Sequence, residues 1–172
     1  MTEAAPWSVE VPAADAARGL QLALEAEPAA RARIAAAYGL EGLESFAGEM
    51  ALSSWLDGLR MRGRWRARVT YLCGLTMEPF PDDLEGEIDL HMLPEGSRNA
   101  PAPDAEPPSD PDAPEPPELY AGEVVDVGDL LCQHLAVAID PYPRKPGAEF
   151  TPPAETAEPS PFAALAALKP RQ

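Results

Sequence analysis

Between Leu59 and Cys73, arginine recurs at every second position: Arg60, Arg62, Arg64, Arg66 and Arg68. No other stretch restricts the backbone so tightly. Successive side chains of a β-strand point to opposite faces, so this spacing gathers five guanidinium groups on one flank. The reverse flank carries Leu59, Met61, Gly63, Trp65, Ala67, Val69 and Tyr71, which reads as a core face. A helix would scatter the arginines around its circumference, and the β-branched and aromatic residues among them favour a strand. Asp57-Gly58, just before, predicts a hairpin, because a two-residue turn needs positive φ, which both residues tolerate. Leu43 to Trp55 is then the antiparallel partner.

A second stripe mirrors the first. Leu84 to Leu93 reads as a strand with Leu84, Gly86, Ile88, Leu90 and Met92 on one side and Glu85, Glu87, Asp89 and His91 on the other. Elsewhere, Trp7 to Val11 predicts a short strand stopped by Pro12. Leu20 to Glu25 predicts another, although nearby alanines leave a helix open. Pro28 suits the first turn of a helix that continues to Tyr38, with Ala30, Ile34, Ala37 and Tyr38 inward, and Gly39 supplies its left-handed end. Asp126 is placed to cap a helix running to about Ile139, with Asp129 in its first turn and Leu130, Leu131, His134, Leu135 and Ala138 at helical spacing.

Residues Pro94 to Glu118 hold nine prolines and seven acids against one basic residue, Arg98. Nothing apolar larger than alanine or proline is present to offset the entropy of ordering, so this is expected to be a disordered acidic, proline-rich insertion. The fold class is therefore α+β: an antiparallel sheet, whose closure into a barrel-like form is left open, with two main helices and the insertion. Residues 1–93 and 119–150 make a single domain in this reading. Residues 151–172 form a flexible tail with a short helix from Ser160, Phe162, Leu165 and Leu168 sharing one side.

The net charge of −16 argues against general adhesion to nucleic acid or anionic membrane and favours a basic partner, without excluding a local basic site. Two cysteines, Cys73 and Cys132, make no disulfide framework. No signal-peptide pattern and no run of about 20 apolar residues is present, so a cytoplasmic chain with reduced thiols is expected.

Several stretches resemble the YceD family, the large ribosomal RNA subunit accumulation proteins, in an alphaproteobacterial-like form. They are Arg68-Val-Thr-Tyr-Leu-Cys73-Gly-Leu-Thr76-Met-Glu78, Val125 to Leu131, Leu135 to Ala148 and Ser160 to Lys169, with Asp140 to Gly147 the most specific. The resemblance implies a part in accumulating large-subunit ribosomal RNA, hence in ribosome biogenesis. Many family members are encoded beside a large-subunit ribosomal protein gene. Many also carry Cys-x-x-Cys where this chain has Cys73-Gly-Leu-Thr76, and Thr76 offers no thiolate.

The arginine stripe has two readings. The guanidinium groups could track phosphates, with Trp65 or Tyr71 stacking bases if the reverse face were open. Alternatively the stripe is a solvated face neutralised by Glu85, Glu87 and Asp89. The segment Pro141 to Gly147 either binds a partner through Tyr142, Arg144 and Lys145 or simply ends a helix and crosses the sheet. Cys73, Cys132, His91 and His134 lack the short paired spacing of zinc motifs and read as core or surface residues, which leaves Cys73 and Cys132 weak metal candidates. No phosphate-cradling glycine loop, nucleophile elbow or His-Glu-x-x-His occurs. The expectation is a non-enzymatic ribosome-biogenesis factor without cofactor, small-molecule substrate or membrane contact. It would bind large-subunit ribosomal RNA precursor, a basic ribosomal protein, or both. A Cys-dependent metal-binding or regulatory protein and an acidic interaction scaffold are the alternatives.

Overall fold

In the computed structural model, which describes residues 5–101 and 116–150, the arginine stretch lies extended. It forms β4 (Gly58–Leu72), flanked by β3 (Gly42–Trp55) and β5 (Pro79–Pro94). With β2 (Leu20–Glu25) and β6 (Glu118–Tyr120) these make a sheet in the order β2-β3-β4-β5-β6, antiparallel except for the parallel β5–β6 pair. Its outermost strands, β2 and β6, do not pair, so the sheet is not a closed barrel. A second, two-stranded sheet joins β1 (Glu10–Pro12) to β7 (Val124–Asp126). The strand expected over Trp7 to Val11 is thus shorter and shifted, and Pro12 lies in it, where an edge strand tolerates a missing N–H.

The helices are α1 (Ala13–Ala16), α2 (Pro28–Tyr38) and α3 (Val127–Ala138). The sequence predicts α2 with its bounds as observed, and Gly39 closes it at φ 67°. Ala35, not Ala37, joins Ala30 and Ile34 in its buried face. The Asp126 carboxylate caps α3 by accepting from the Asp129 N–H at 3.0 Å, and it also accepts from the Val9 N–H at 2.8 Å. The chain before β1 is thereby tied to the helix.

One face of the sheet is covered. Phe46, Met50, Leu52, Met61, Trp65, Val69, Ile88 and Met92 on that face join Trp7, Ile34, Leu131 and Leu135 in one buried cluster. Trp7, Phe46 and Trp65 meet edge to face in succession, with ring centroids 5.5 and 6.1 Å apart. Gly48 leaves room for Leu131, since a Cβ there would lie 3.2 Å from its Cδ2.

The hairpin differs from expectation by one residue. Trp55 pairs with Gly58, so the turn is Leu56-Asp57, and the positive φ of 50° falls on Leu56. Gly58 is required instead by close approach: a Cβ there would sit 2.0 Å from the Met92 carbonyl oxygen. The Asp57 carboxylate accepts from the Ser97 hydroxyl at 3.0 Å and the Asn99 amide at 2.8 Å, and these bonds hold it below the usual carboxylate range.

Of the acidic insertion, residues 102–115 lie outside the described residues, as does the tail with its expected helix at 151–172. The insertion's ends are built into the fold. Pro94 closes β5 and pairs with Tyr120, Glu118 opens β6, and Ser97 and Asn99 anchor on Asp57.

Candidate functional site

The face opposite the helices carries the arginines, and the pairing register fixes their neighbours. Three rungs run straight across the sheet: Gln21–Ala51–Arg62–Asp89, Ala23–Glu49–Arg64–Glu87 and Glu25–Ala47–Arg66–Glu85. Arg60 lies opposite His91 and Arg68 opposite Asp83. Five arginines therefore share this face with the carboxylates of Glu25, Glu49, Asp83, Glu85, Glu87 and Asp89, and the face has no positive surplus.

The arginines are not equivalent. Arg60 grips Asp89 with two parallel bonds, Nε to Oδ1 at 2.7 Å and Nη2 to Oδ2 at 2.6 Å, a fork geometry that raises the guanidinium pKa and lowers that of the carboxyl. Arg68 donates to both oxygens of Asp83, at 3.0 and 2.8 Å. Arg62 reaches Asp89 only at 3.4 Å and Arg64 reaches Glu49 only at 3.8 Å, with side chains 63% and 76% exposed. Arg66 is exposed and forms no ion pair with a described residue. The middle of the stripe is thus open and its ends are clamped.

Trp65 and Tyr71 are 4% and 3% exposed on the helix-covered face, so neither presents a ring to a partner. The aromatic beside the arginines is Trp55, whose ring lies 4.3 Å from that of His91 at the Arg60 end of the stripe. Antiparallel pairing across a two-residue turn puts Trp55 on the same face as Arg60, which the hairpin signal in the sequence already implied. Beside the stripe, a groove of about 480 Å³ is floored by Ala23 and Ala47 and walled by Glu25, Glu49, Arg64 and Glu85.

A second assembly joins the Cys73 turn to the segment after α3. The Gly74 N–H donates to the Pro143 carbonyl at 2.9 Å, the Asp140 N–H donates to the Tyr71 hydroxyl at 3.2 Å, and Lys145 Nζ bonds Glu78 at 2.8 Å. Cys73 Sγ is covered, and it accepts from the N–H groups of Lys145 at 3.4 Å and Thr76 at 3.5 Å. The Thr76 side chain first, then these backbone donors, pull its thiol down to about 6. Lys145 is thus engaged by Glu78, whereas Tyr142 is 81% exposed and Arg144 projects into solvent. Cys132 sits elsewhere, buried in α3, and burial, with Asp129 and Asp126 nearby, pushes its thiol up to about 12. No group of three or more His, Cys, Asp or Glu side chains arranged to hold a metal ion occurs among the described residues. None of the helices among them is long and apolar enough to cross a membrane.

Fold and face together define a mixed α+β protein that gives one side of its sheet to helices and leaves the other as an open surface laddered with charge. The model of the family described as "Large ribosomal RNA subunit accumulation protein YceD" matches residues 61–169, and the chain belongs to that family. The match takes in Arg62 to Arg68, the Cys73 turn and the Asp140 to Gly147 segment that closes over it. Its description implies a role in accumulation of the large ribosomal RNA. No curated protein and no solved structure matches the chain.

Proposed function

We propose that this protein supports large-subunit ribosomal RNA accumulation without catalysing a reaction, by holding a basic ribosomal protein. The observation that carries this reading is the neutralised arginine face. Carboxylates lie opposite four of its five arginines, Asp89 also grips the fifth, and the chain as a whole carries −16. A field of that sign steers cations inward and repels phosphate. The acids of residues 94–118 extend the same logic by shielding a lysine-rich partner before it meets RNA.

A second reading, direct contact with ribosomal RNA precursor, draws on the loosely paired Arg62 and Arg64 and on Arg66, with Trp55 beside the stripe. Phosphate contacts make affinity fall steeply with salt, by a slope near one per contact. Arg64→Glu combined with Arg66→Glu should then weaken RNA binding and flatten its salt dependence. The basic-protein reading predicts no loss for a cationic partner from the same variant.

Depletion tests the role itself. The large ribosomal RNA should fall relative to the small one, and an unchanged ratio would refute the role. Replacing residues 102–115 with an uncharged Gly-Ser linker of equal length should reduce recovery of a basic ribosomal protein in pull-down. Equal recovery would rule out shielding by that segment.

A further inference from the structure

The sheet has two open edges, and they are built differently. Among the described residues, β5 is unpaired on its outer side from Pro79 to His91, because β6 covers only Met92 to Pro94. That edge carries Pro79 and Pro81, which lack N–H donors, and a row of acids, the usual protection against strand addition. β2 has no proline and no bulge, and all six of its residues pair regularly with β3.

The Ala26 N–H donates to the Phe46 carbonyl of β3 at 2.9 Å. Antiparallel alternation then turns the N–H and C=O groups of Leu20, Leu22 and Leu24 toward β3 and those of Gln21, Ala23 and Glu25 outward. None of these outward groups bonds to another described residue. Ala23, Leu24 and Glu25 are also the shared rim of two grooves, one on each side of the sheet. The outer one is the groove of about 480 Å³ with Glu25, Glu49 and Glu85 in its walls against Arg64 and Arg66. The inner one, about 470 Å³, runs beneath Trp7, Val9 and Ala30, with Glu27 and Arg33 at its rim.

We infer that the open edge of β2 is a strand-addition site for an extended segment that alternates apolar residues with lysine or arginine. An added strand would take up the outward backbone groups of Gln21, Ala23 and Glu25. Its period of two would send one set of side chains toward Trp7 and Val9 and the other over the alanine floor toward Glu25 and Glu49. The carboxylates outnumber the cations in each groove, which selects a basic segment over an acidic one. This rests on the basic-partner reading above and gives it a docking point.

The full chain is titrated with three peptides: alternating Lys-Val, alternating Glu-Val, and Lys-Val methylated on every second backbone nitrogen. The site requires that Lys-Val bind at least tenfold tighter than the other two. It also requires slow amide exchange at Gln21, Ala23 and Glu25 only when Lys-Val is present, with Leu22 and Leu24 protected throughout. Ala23→Pro removes an outward donor and leaves the β2–β3 ladder bonds in place, so it should lose at least tenfold in affinity; Gln21→Pro serves if the first variant does not fold. Lys-Val and its methylated form binding alike, or binding unchanged in the proline variants, would overturn the edge site and leave the basic-partner reading standing. A dimer in sedimentation that Ala23→Pro abolishes would assign the edge to a second copy and likewise overturn the proposal. The fate of the basic-partner reading is decided separately, by ribosomal-protein recovery.

Discussion

The Trp65 indole packs closely against Gly86, its partner on the neighbouring strand. A Cβ on Gly86 would sit 2.8 Å from Nε1 and 2.9 Å from Cε2 of that ring. Trp65 in turn touches Phe46, so the pair forms the middle of the aromatic chain that begins at Trp7. Replacing a strand glycine with alanine ordinarily gains about 0.5–1 kcal/mol. Overpacking a filled core costs about 1–3 kcal/mol. The second effect wins, and Gly86→Ala should lower the midpoint of chemical denaturation. Trp65→Phe in the same chain removes the atoms in conflict. The double variant should therefore lose less than the sum of the singles, by about 0.5 kcal/mol or more in a double-mutant cycle. Strict additivity would mean that the ring is not held there.

Asp126→Ala removes the acceptor for two backbone donors, Val9 N–H and Asp129 N–H. Loss of a helix cap alone costs about 0.5–2 kcal/mol. Here the Val9 donor is orphaned in a partly buried junction, which places the loss near the upper end. Asp126→Asn keeps an acceptor and should recover most of it. Denaturation midpoints of the two variants check the prediction. Local amide exchange at Val9 should rise in the alanine variant alone.

The elements that strict alternation or caps specify were legible in the sequence. Leu20–Glu25 and Pro28–Tyr38 have the bounds their patterns predict, and the acidic strand lies beside the arginine strand in charge-matching register. What escaped depends on contacts distant in sequence. β5 begins at Pro79 and not at Leu84, because no described strand pairs with its outer edge there and prolines cost it no ladder bond. Gly58 suggested a turn residue, but it is kept small by the Met92 carbonyl. The short β6 and its parallel pairing leave no local signal in three residues. In the candidate site, the five arginines and their common face were readable. The unequal strength of their ion pairs was not, since this depends on how far each side chain reaches across a twisted sheet.

That inequality is measurable. Arg60 and Asp89 are in bidentate contact, yet their side chains are 34% and 45% exposed, so water screens the pair. A double-mutant cycle on Arg60→Ala and Asp89→Ala should give a small but measurable coupling at low salt that shrinks as salt is added. The same cycle on Arg64 and Glu49, whose contact is 3.8 Å, should give a coupling near zero. Equal couplings would contradict the division into clamped ends and an open centre.

Cys73 makes the fold sensitive to pH across neutrality, between about 6 and 9.0. The Thr76 side chain and the N–H groups of Lys145 and Thr76 favour the thiolate, so the folded thiol titrates at about 6 against an ordinary value of 9.0. Between those two values the unfolded chain binds a proton that the folded chain has released, and stability rises with pH across that window. The contribution is fully present above pH 9.0 and is lost as pH falls through about 6. Thermal melts at steps across the window should show this rise, and Cys73→Ala should flatten it. Ultraviolet thiolate absorbance of the native protein should show one group ionising near 6 and the other, Cys132, only near 12. Two thiols titrating together near 9.0 would show that the bonds from Lys145 and Thr76 do not hold the sulfur as a thiolate.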